Sequence, residues 1–234
     1  MDRLFAIEHL AAVGVIALFA AGLVAAARLR PGRWTRLASL LLAAVLVAAE
    51  LGWWLYLAST GASGSVLASA LPLQLCDAAI FVAAAALLLR RPLLIEITYF
   101  WGLAGTIQAL LTPDLPQHFP SFPYFQYYVA HGGIVAAALF LVVGLRLWPR
   151  TNAVVQVLAI TLVYTALVGL VDAITGANFM YLRGKPPSPT LLDVLGPWPW
   201  YIVSAATIGL MLLVALDAPF RVLRRIRPSS RQRA

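Results

Sequence analysis

Apolar residues in this chain come in long runs separated by short polar breaks. The runs lie at roughly 5–27, 36–58, 71–89, 92–112, 122–147, 153–175 and 197–220. A helix needs about 20 mostly apolar residues to cross the hydrocarbon core of a bilayer, and each run approaches or exceeds that length. None shows the strict apolar/polar alternation of a membrane barrel strand. The pattern therefore predicts an all-α, polytopic membrane protein with seven transmembrane helices. The third run is the most diluted, because Gln74, Cys76 and Asp77 fall near its start. Connections are short, which leaves one membrane domain over 1–220 and a basic cytoplasmic tail over 221–234. No internal repeat is visible.

One connection departs from the pattern. From 176 to 201 the chain is polar and studded with proline, and Arg183, Lys185 and Asp193 are charged where the flanking runs carry almost no charge. Such a segment is either a solvated link or a working part of the membrane surface.

Composition agrees with the pattern. Of 234 residues, 62% are hydrophobic and 11% charged, with a mean hydropathy of +0.88. Soluble domains carry about 25% charged residues. Met1-Asp2-Arg3 has no net charge and the basic cluster follows the first run, so that run reads as a retained helix, not a cleaved signal. The net charge of +8 has a strongly uneven distribution. With the N-terminus outside, every basic residue except Arg3, Arg183 and Lys185 falls on the cytoplasmic side. The positive-inside rule then sets the orientation as N-out, C-in. The arginines from Arg221 to Arg233 would lie against anionic lipid of the inner leaflet, which accounts for the basic balance without a nucleic-acid partner.

Polar side chains inside spans are costly and tend to mark function. On this topology His9, Glu50, Cys76, Asp77, Gln108, Thr112, Asp114, His118, His131, Asp172, Asn178 and Asp193 gather toward the outer face, with Glu96 the exception. That gathering predicts an outward-opening polar cavity. Cys76 is the sole cysteine, so no internal disulfide is expected. A lone thiol is either a small hydrophobe or a nucleophile, and a nucleophile needs a base to make the thiolate. Its position beside Asp77, at the mouth of a span, favours the second role. His131 is the candidate base; its alternative role is a packing histidine bonded to a neighbour. Gly132 and Gly133 beside it allow another helix or a ligand to come close. His9, His118 and His131, with Asp77 or Asp172, also form a potential zinc-ligand set, although no two histidines share an i, i+4 face. Gln108 and Thr112 do share a helix face, Pro113 ends that run, and Asp114 follows. Trp198, Trp200 and Tyr201 fit interfacial anchors at the start of the seventh run.

Four blocks carry a family likeness. They are Leu71-Pro-Leu-Gln-Leu-Cys76-Asp77, the stretch from Tyr99 through Gln108 and Thr112 to Asp114, Tyr127-Tyr-Val-Ala-His131-Gly132, and Asn178 to Tyr201. Glu8-His9-Leu10 forms a short fifth. With these the chain resembles the YwaF-like bacterial integral membrane proteins, which are related to the eukaryotic transmembrane protein 164 group of lipid acyltransferases. The resemblance implies a seven-helix protein of the bacterial plasma membrane. From the eukaryotic relatives it implies transfer of fatty acyl groups among phospholipids through a cysteine. That cysteine corresponds to Cys76, with His131 as base. The chain departs from many of the relatives at Gln74, where they carry a histidine.

The leading expectation is acyl transfer or hydrolysis on a lipid of the outer leaflet, without a cofactor. Cys76 attacks an ester, His131 moves the proton, and Asp77 or Asp114 orients the imidazole. Gln108, Asn178 or a backbone N–H stabilises the oxyanion, and Arg183 and Lys185 hold a lipid phosphate. Thr112, Trp198 and Trp200 complete the substrate-binding set. The alternatives are a non-enzymatic binding protein or transporter for a lipid or small solute, and a zinc-dependent hydrolase.

Overall fold

A computed structural model describes residues 6–61, 63–64, 71–186 and 190–226, which form helices and loops without strands. The main helices are α1 (Ile7–Leu29), α2 (Trp34–Ser59), α3 (Leu75–Leu89), α4 (Pro92–Leu111), α5 (Phe122–Gly144), α6 (Ala153–Thr175) and α7 (Trp200–Ile226). Six of them are long and apolar enough to cross a membrane, and the chain is a polytopic α-helical membrane protein. The seventh, α3, has 15 residues, which at about 1.5 Å per residue falls short of the roughly 30 Å core.

The shortness of α3 corrects the start of the third run. The helix begins at Leu75, not at 71, because Pro72 sits in a tight turn with Leu73 N–H donating to Leu71 O at 2.7 Å. Gln74, extended at ψ 149°, is the N-cap. Cys76 and Asp77 therefore occupy the first turn of α3, where backbone N–H groups have no intrahelical acceptor. Other boundaries also have local causes. Arg90 turns the chain at φ 50° and Pro92 opens α4, while Gly176 at φ 78° closes α6 on the Asp172 carbonyl.

Contacts between helix ends set the alternation. At one end, Glu8 before α1's second turn pairs with His118 of the α4–α5 loop at 2.7 Å. Gln74 at the head of α3 reaches Met180 beyond α6. At the opposite, arginine-rich end, Arg28 of α1 donates to Val143 O of α5, and Arg150 between α5 and α6 reaches Glu96 of α4.

The centre of the bundle is α5, with 72% of its apolar stretch buried against 11% for α1 and 17% for α6 and α7. Its small residues permit this. A Cβ on Gly132 would lie 2.7 Å from Ile16 of α1, and one on Gly133 would lie 2.8 Å from Leu46 of α2. Close backbone approach through small residues is a usual basis of helix association in lipid. The outer helices turn Val15, Leu18, Val163, Leu167 and Ile174 outward, as a lipid-facing surface requires.

The last helix runs past 220 to Ile226. Fully buried Asp217 explains the extension, since it accepts from Arg221 one turn on at 2.5 Å and from Arg224 at 3.2 Å. Arg224 also donates to Pro149 O at 2.8 Å. Arg227, Arg231 and Arg233 of the expected tail, and Arg3, lie outside the described residues.

Candidate functional site

At the arginine-poor end, a cavity of about 660 Å3 opens between α2, α3, α4, α5 and α7 under the 176–199 loop. Cys76 and Asp77 from α3, Gln108 and Thr112 from α4, Asp114 after it, and His131 from α5 all border it. Glu50 of α2 borders it too, 3% exposed and accepting from Trp54 Nε1 at 3.2 Å. The wall thus carries three carboxylates and, among the described residues, no lysine or arginine. A larger groove of about 800 Å3 lies on the other side of α5, against α1 and α2. It is lined almost wholly by apolar groups and contains neither the thiol nor an imidazole, so the smaller cavity is the candidate site.

His131 has a defined tautomer. Its Nδ1 lies 2.8 Å from the Tyr127 carbonyl, four residues back, and a carbonyl only accepts, so Nδ1 carries the proton. In the neutral ring Nε2 then carries the lone pair. The ring also stacks on Tyr127, with centroids 4.1 Å apart, and Tyr127 O–H is fixed on Ala109 O at 2.8 Å. Neither Asp77 nor Asp114 holds Nδ1. Asp77, third in α3, faces the Gln74 backbone N–H at the helix head and is close to the Glu50 carboxylate. Asp114 accepts from Tyr181 O–H at 3.1 Å. Burial, and then the Asp114 carboxylate, push the Tyr181 phenol up to about 12, so it stays a donor across the ordinary pH range.

The described parts of the polar loop, 176–186 and 190–199, lie over the cavity as a lid. Asn178 is its internal brace: Nδ2 donates to Gly184 O at 2.9 Å, and Oδ1 accepts from Arg183 N at 2.8 Å and Gly184 N at 3.2 Å. Arg183 donates to Asp172 O and Ala177 O, closing the C-terminal end of α6. Thr190 and Asp193 form a reciprocal cap, and Lys185 sits 4.0 Å from the Asp193 carboxylate and 5.5 Å above the Tyr201 ring. Trp198 Nε1 donates to Leu182 O at 3.0 Å, whereas Trp200 is exposed. The cavity wall thus excludes Asn178, Arg183, Lys185, Trp198 and Trp200, and the described contacts of the first four hold the lid together.

The lid meets the cavity at Met180 and Tyr181, which adopt left-handed backbone at φ 53° and 56°. Side chains other than glycine rarely sit there, and such strain persists only where surroundings enforce it. Here Gln74 Oε1 accepts Met180 N–H at 2.7 Å, Asp114 holds the Tyr181 side chain, and Tyr201 O–H bonds the Tyr181 carbonyl. Gln74 therefore ties the lid to the head of α3.

The three histidines do not converge. His9 is buried against Tyr128 at 2.8 Å and His118 is exposed on Glu8, both away from the cavity. Among the described residues no three of His, Cys, Asp and Glu come together as a metal-ligand set. The sequence marks Glu50 only as one polar residue of many and gives Tyr127 and Tyr181 no chemical role, because their roles depend on which carbonyl or carboxylate the fold brings to them.

The model of the TMEM164 family matches residues 4–217, a span that contains every helix but the end of α7. The chain belongs to the TMEM164 family. Comparison with curated proteins and with solved structures gives no match. In this TMEM164-family chain the match covers the cavity wall, the described lid and the central α5 together.

Proposed function

We propose that the cavity is the active site of a cysteine-dependent acyltransferase or acyl hydrolase acting on a membrane lipid. The observation that carries this reading is the placement of Cys76 in the first turn of α3, on the wall shared with a His131 whose Nδ1 is taken by the Tyr127 carbonyl, which leaves Nε2 as the nitrogen for proton transfer. A helix start favours a thiolate through its free N–H groups and dipole. His131 Nε2 takes the thiol proton as Sγ attacks the ester carbonyl carbon. The C–S bond forms, the ester C–O bond breaks, and the lyso-lipid alkoxide leaves with the proton that His131 returns. A second hydroxyl, of an acceptor lipid or of water, then gives its proton to His131 as its oxygen attacks the thioester; the new C–O bond forms, the C–S bond breaks, and the released thiolate recovers the proton. Gln108 and the head of α3 supply donors for the oxyanion at each step. In this reading Arg183 and Lys185 are clamps of the lid, not phosphate ligands. With the arginine-rich end in the cytoplasm, the cavity serves the outer leaflet of a bacterial plasma membrane.

The test is direct. Purified protein incubated with acyl-labelled phospholipid forms a hydroxylamine-sensitive acyl-thioester on Cys76. A Cys76→Ala variant that retains full acyl exchange would rule the mechanism out.

A binding or transport role is the second reading, and the acid-rich, cation-free wall favours it. Three carboxylates suit a ligand with a positive head group and need no thiol. Ligand retention by Cys76→Ala, together with the absence of any labelled thioester in the parent protein, would favour this reading.

A further inference from the structure

Beside the Cys76 thiol, α4 passes through a π turn from Trp101 to Thr106. Such turns recur at functional sites, and this one has a specific chemical consequence. Threonines in helices often return their hydroxyl to the carbonyl four residues back. Thr98, Thr112, Thr161, Thr175 and Thr207 all do so, at 2.7–3.0 Å. Thr106 does not. Around it the backbone bond runs from Ile107 N–H to the Gly102 carbonyl, five residues back, which widens the turn. The Thr106 hydroxyl is left buried, 1% exposed, without a hydrogen-bond partner. Its turn packs on the head of α3, where a Cβ on Gly105 would lie 3.3 Å from Leu75 Cδ2, and the hydroxyl is within interaction range of the neighbouring Cys76 thiol.

A buried, unpaired hydroxyl is costly, and its presence in a native fold calls for an explanation. A neutral thiol is a weak acceptor and gives the hydroxyl little, whereas an ionised sulfur is a strong one. We propose that Thr106 is a second polar partner of the nucleophile, donating its hydroxyl to the Cys76 thiolate once the proton has gone to His131. The assignment rests on the reading of Cys76 as a nucleophile. Thr106 keeps its own proton throughout, so the step requires no further acid or base.

The surroundings make such a donor necessary. The titratable groups around the thiol are Asp77 on its own helix, Glu50 on α2, Tyr127 and His131 on α5, and Asp114 and Tyr181 above it. The three acids oppose negative charge on sulfur. What favours it is the His131 imidazole, the N–H groups at the head of α3, and the Thr106 hydroxyl, the only neutral side-chain donor of the three.

The experiment follows alkylation of the sole cysteine by iodoacetamide across pH in the detergent-purified full chain, with Cys76→Ala as the blank. Thr106→Val keeps the shape and removes the donor, and it folds at least as well as the parent because the lost hydroxyl is unpaired. A hydrogen bond to a charged group is strong enough to shift a titration by about one unit or more. The alkylation midpoint should therefore move up by about that much in Thr106→Val, with rates below it about tenfold slower, and Thr106→Ser should restore the parent profile. A Thr106→Val profile that overlays the parent, or a Thr106→Ser profile that matches Thr106→Val, overturns the proposal. If Thr106→Val does not fold, the same comparison is made with Thr106→Ala. A shifted profile in a protein that never forms an acyl-thioester refutes acyl transfer and leaves Thr106 as the thiolate's donor. A thioester with an unshifted profile does the reverse.

Discussion

Removing Arg150 is expected to harm this protein more than removing the charge of its partner Glu96, although the two make the same ion pair. Glu96 of α4 is 1% exposed and accepts from Arg150 three times, from the backbone N and from Nε at 2.8 Å and from Nη2 at 2.7 Å. The Arg150 side chain is 44% exposed and also donates to Gln156 at 2.8 Å. Deprived of Glu96, the guanidinium turns to water and to Gln156. Deprived of Arg150, the carboxylate stays enclosed. Leaving a buried charge unpaired costs about 3–5 kcal/mol, and because the backbone donor of residue 150 survives, Arg150→Met should fall near about 3 kcal/mol. For a chain of this size that is a melting shift of about 6–12 °C. Glu96→Gln keeps an acceptor and should lose about 1 kcal/mol. The double variant should melt above Arg150→Met, because no buried charge remains. Thermal melts by circular dichroism in one detergent, run as a double-mutant cycle, measure all three. The reasoning fails if Arg150→Met melts no lower than Glu96→Gln, or if the two losses simply add.

Three further outcomes follow from the cavity end and the helix contacts. Gln74→Ala removes the acceptor of Met180 N–H; limited proteolysis should cut the 177–199 lid faster while helix content stays unchanged. Gly132→Ala places a Cβ 2.7 Å from Ile16 and should lower thermal stability by about 1–3 kcal/mol, with Gly14→Ala, which meets nothing within 4 Å, as the neutral control. The Tyr181 phenol, raised from its ordinary 10 to about 12 by burial and Asp114, favours the neutral form in the closed lid. Its contribution is complete below pH 10 and is lost as pH rises through about 12. Lid proteolysis should therefore accelerate over that window in the parent, and Tyr181→Phe should flatten the response.

The membrane class and the positions of the helices were legible in the sequence, because bilayer thickness imposes a run length that composition reveals directly. The sixth run, 153–175, matches α6 residue for residue, and the fourth and fifth begin where α4 and α5 begin. The third run began too early, since apolar Leu71 and Leu73 look helical by hydropathy while Pro72 and the extended Gln74 hold the helix start back to Leu75. The seventh stopped too early, since Arg221 and Arg224 read as tail until buried Asp217 supplies their partner.

The sequence by itself determined which residues are able to do chemistry and that most of them lie toward one end of the spans, because burying polar groups in lipid is costly enough to leave a mark on composition. Only the tertiary structure decided which of them meet. Cys76, Asp77, Gln108, Asp114 and His131 share one wall, while His9 and His118 turn to other partners and Arg183 and Lys185 brace the lid. That division depends on helix rotation, on where α3 starts, and on a π turn that leaves the Thr106 hydroxyl unpaired. Each is settled by packing between helices distant in the chain, for which a linear pattern of apolar and polar residues contains no term.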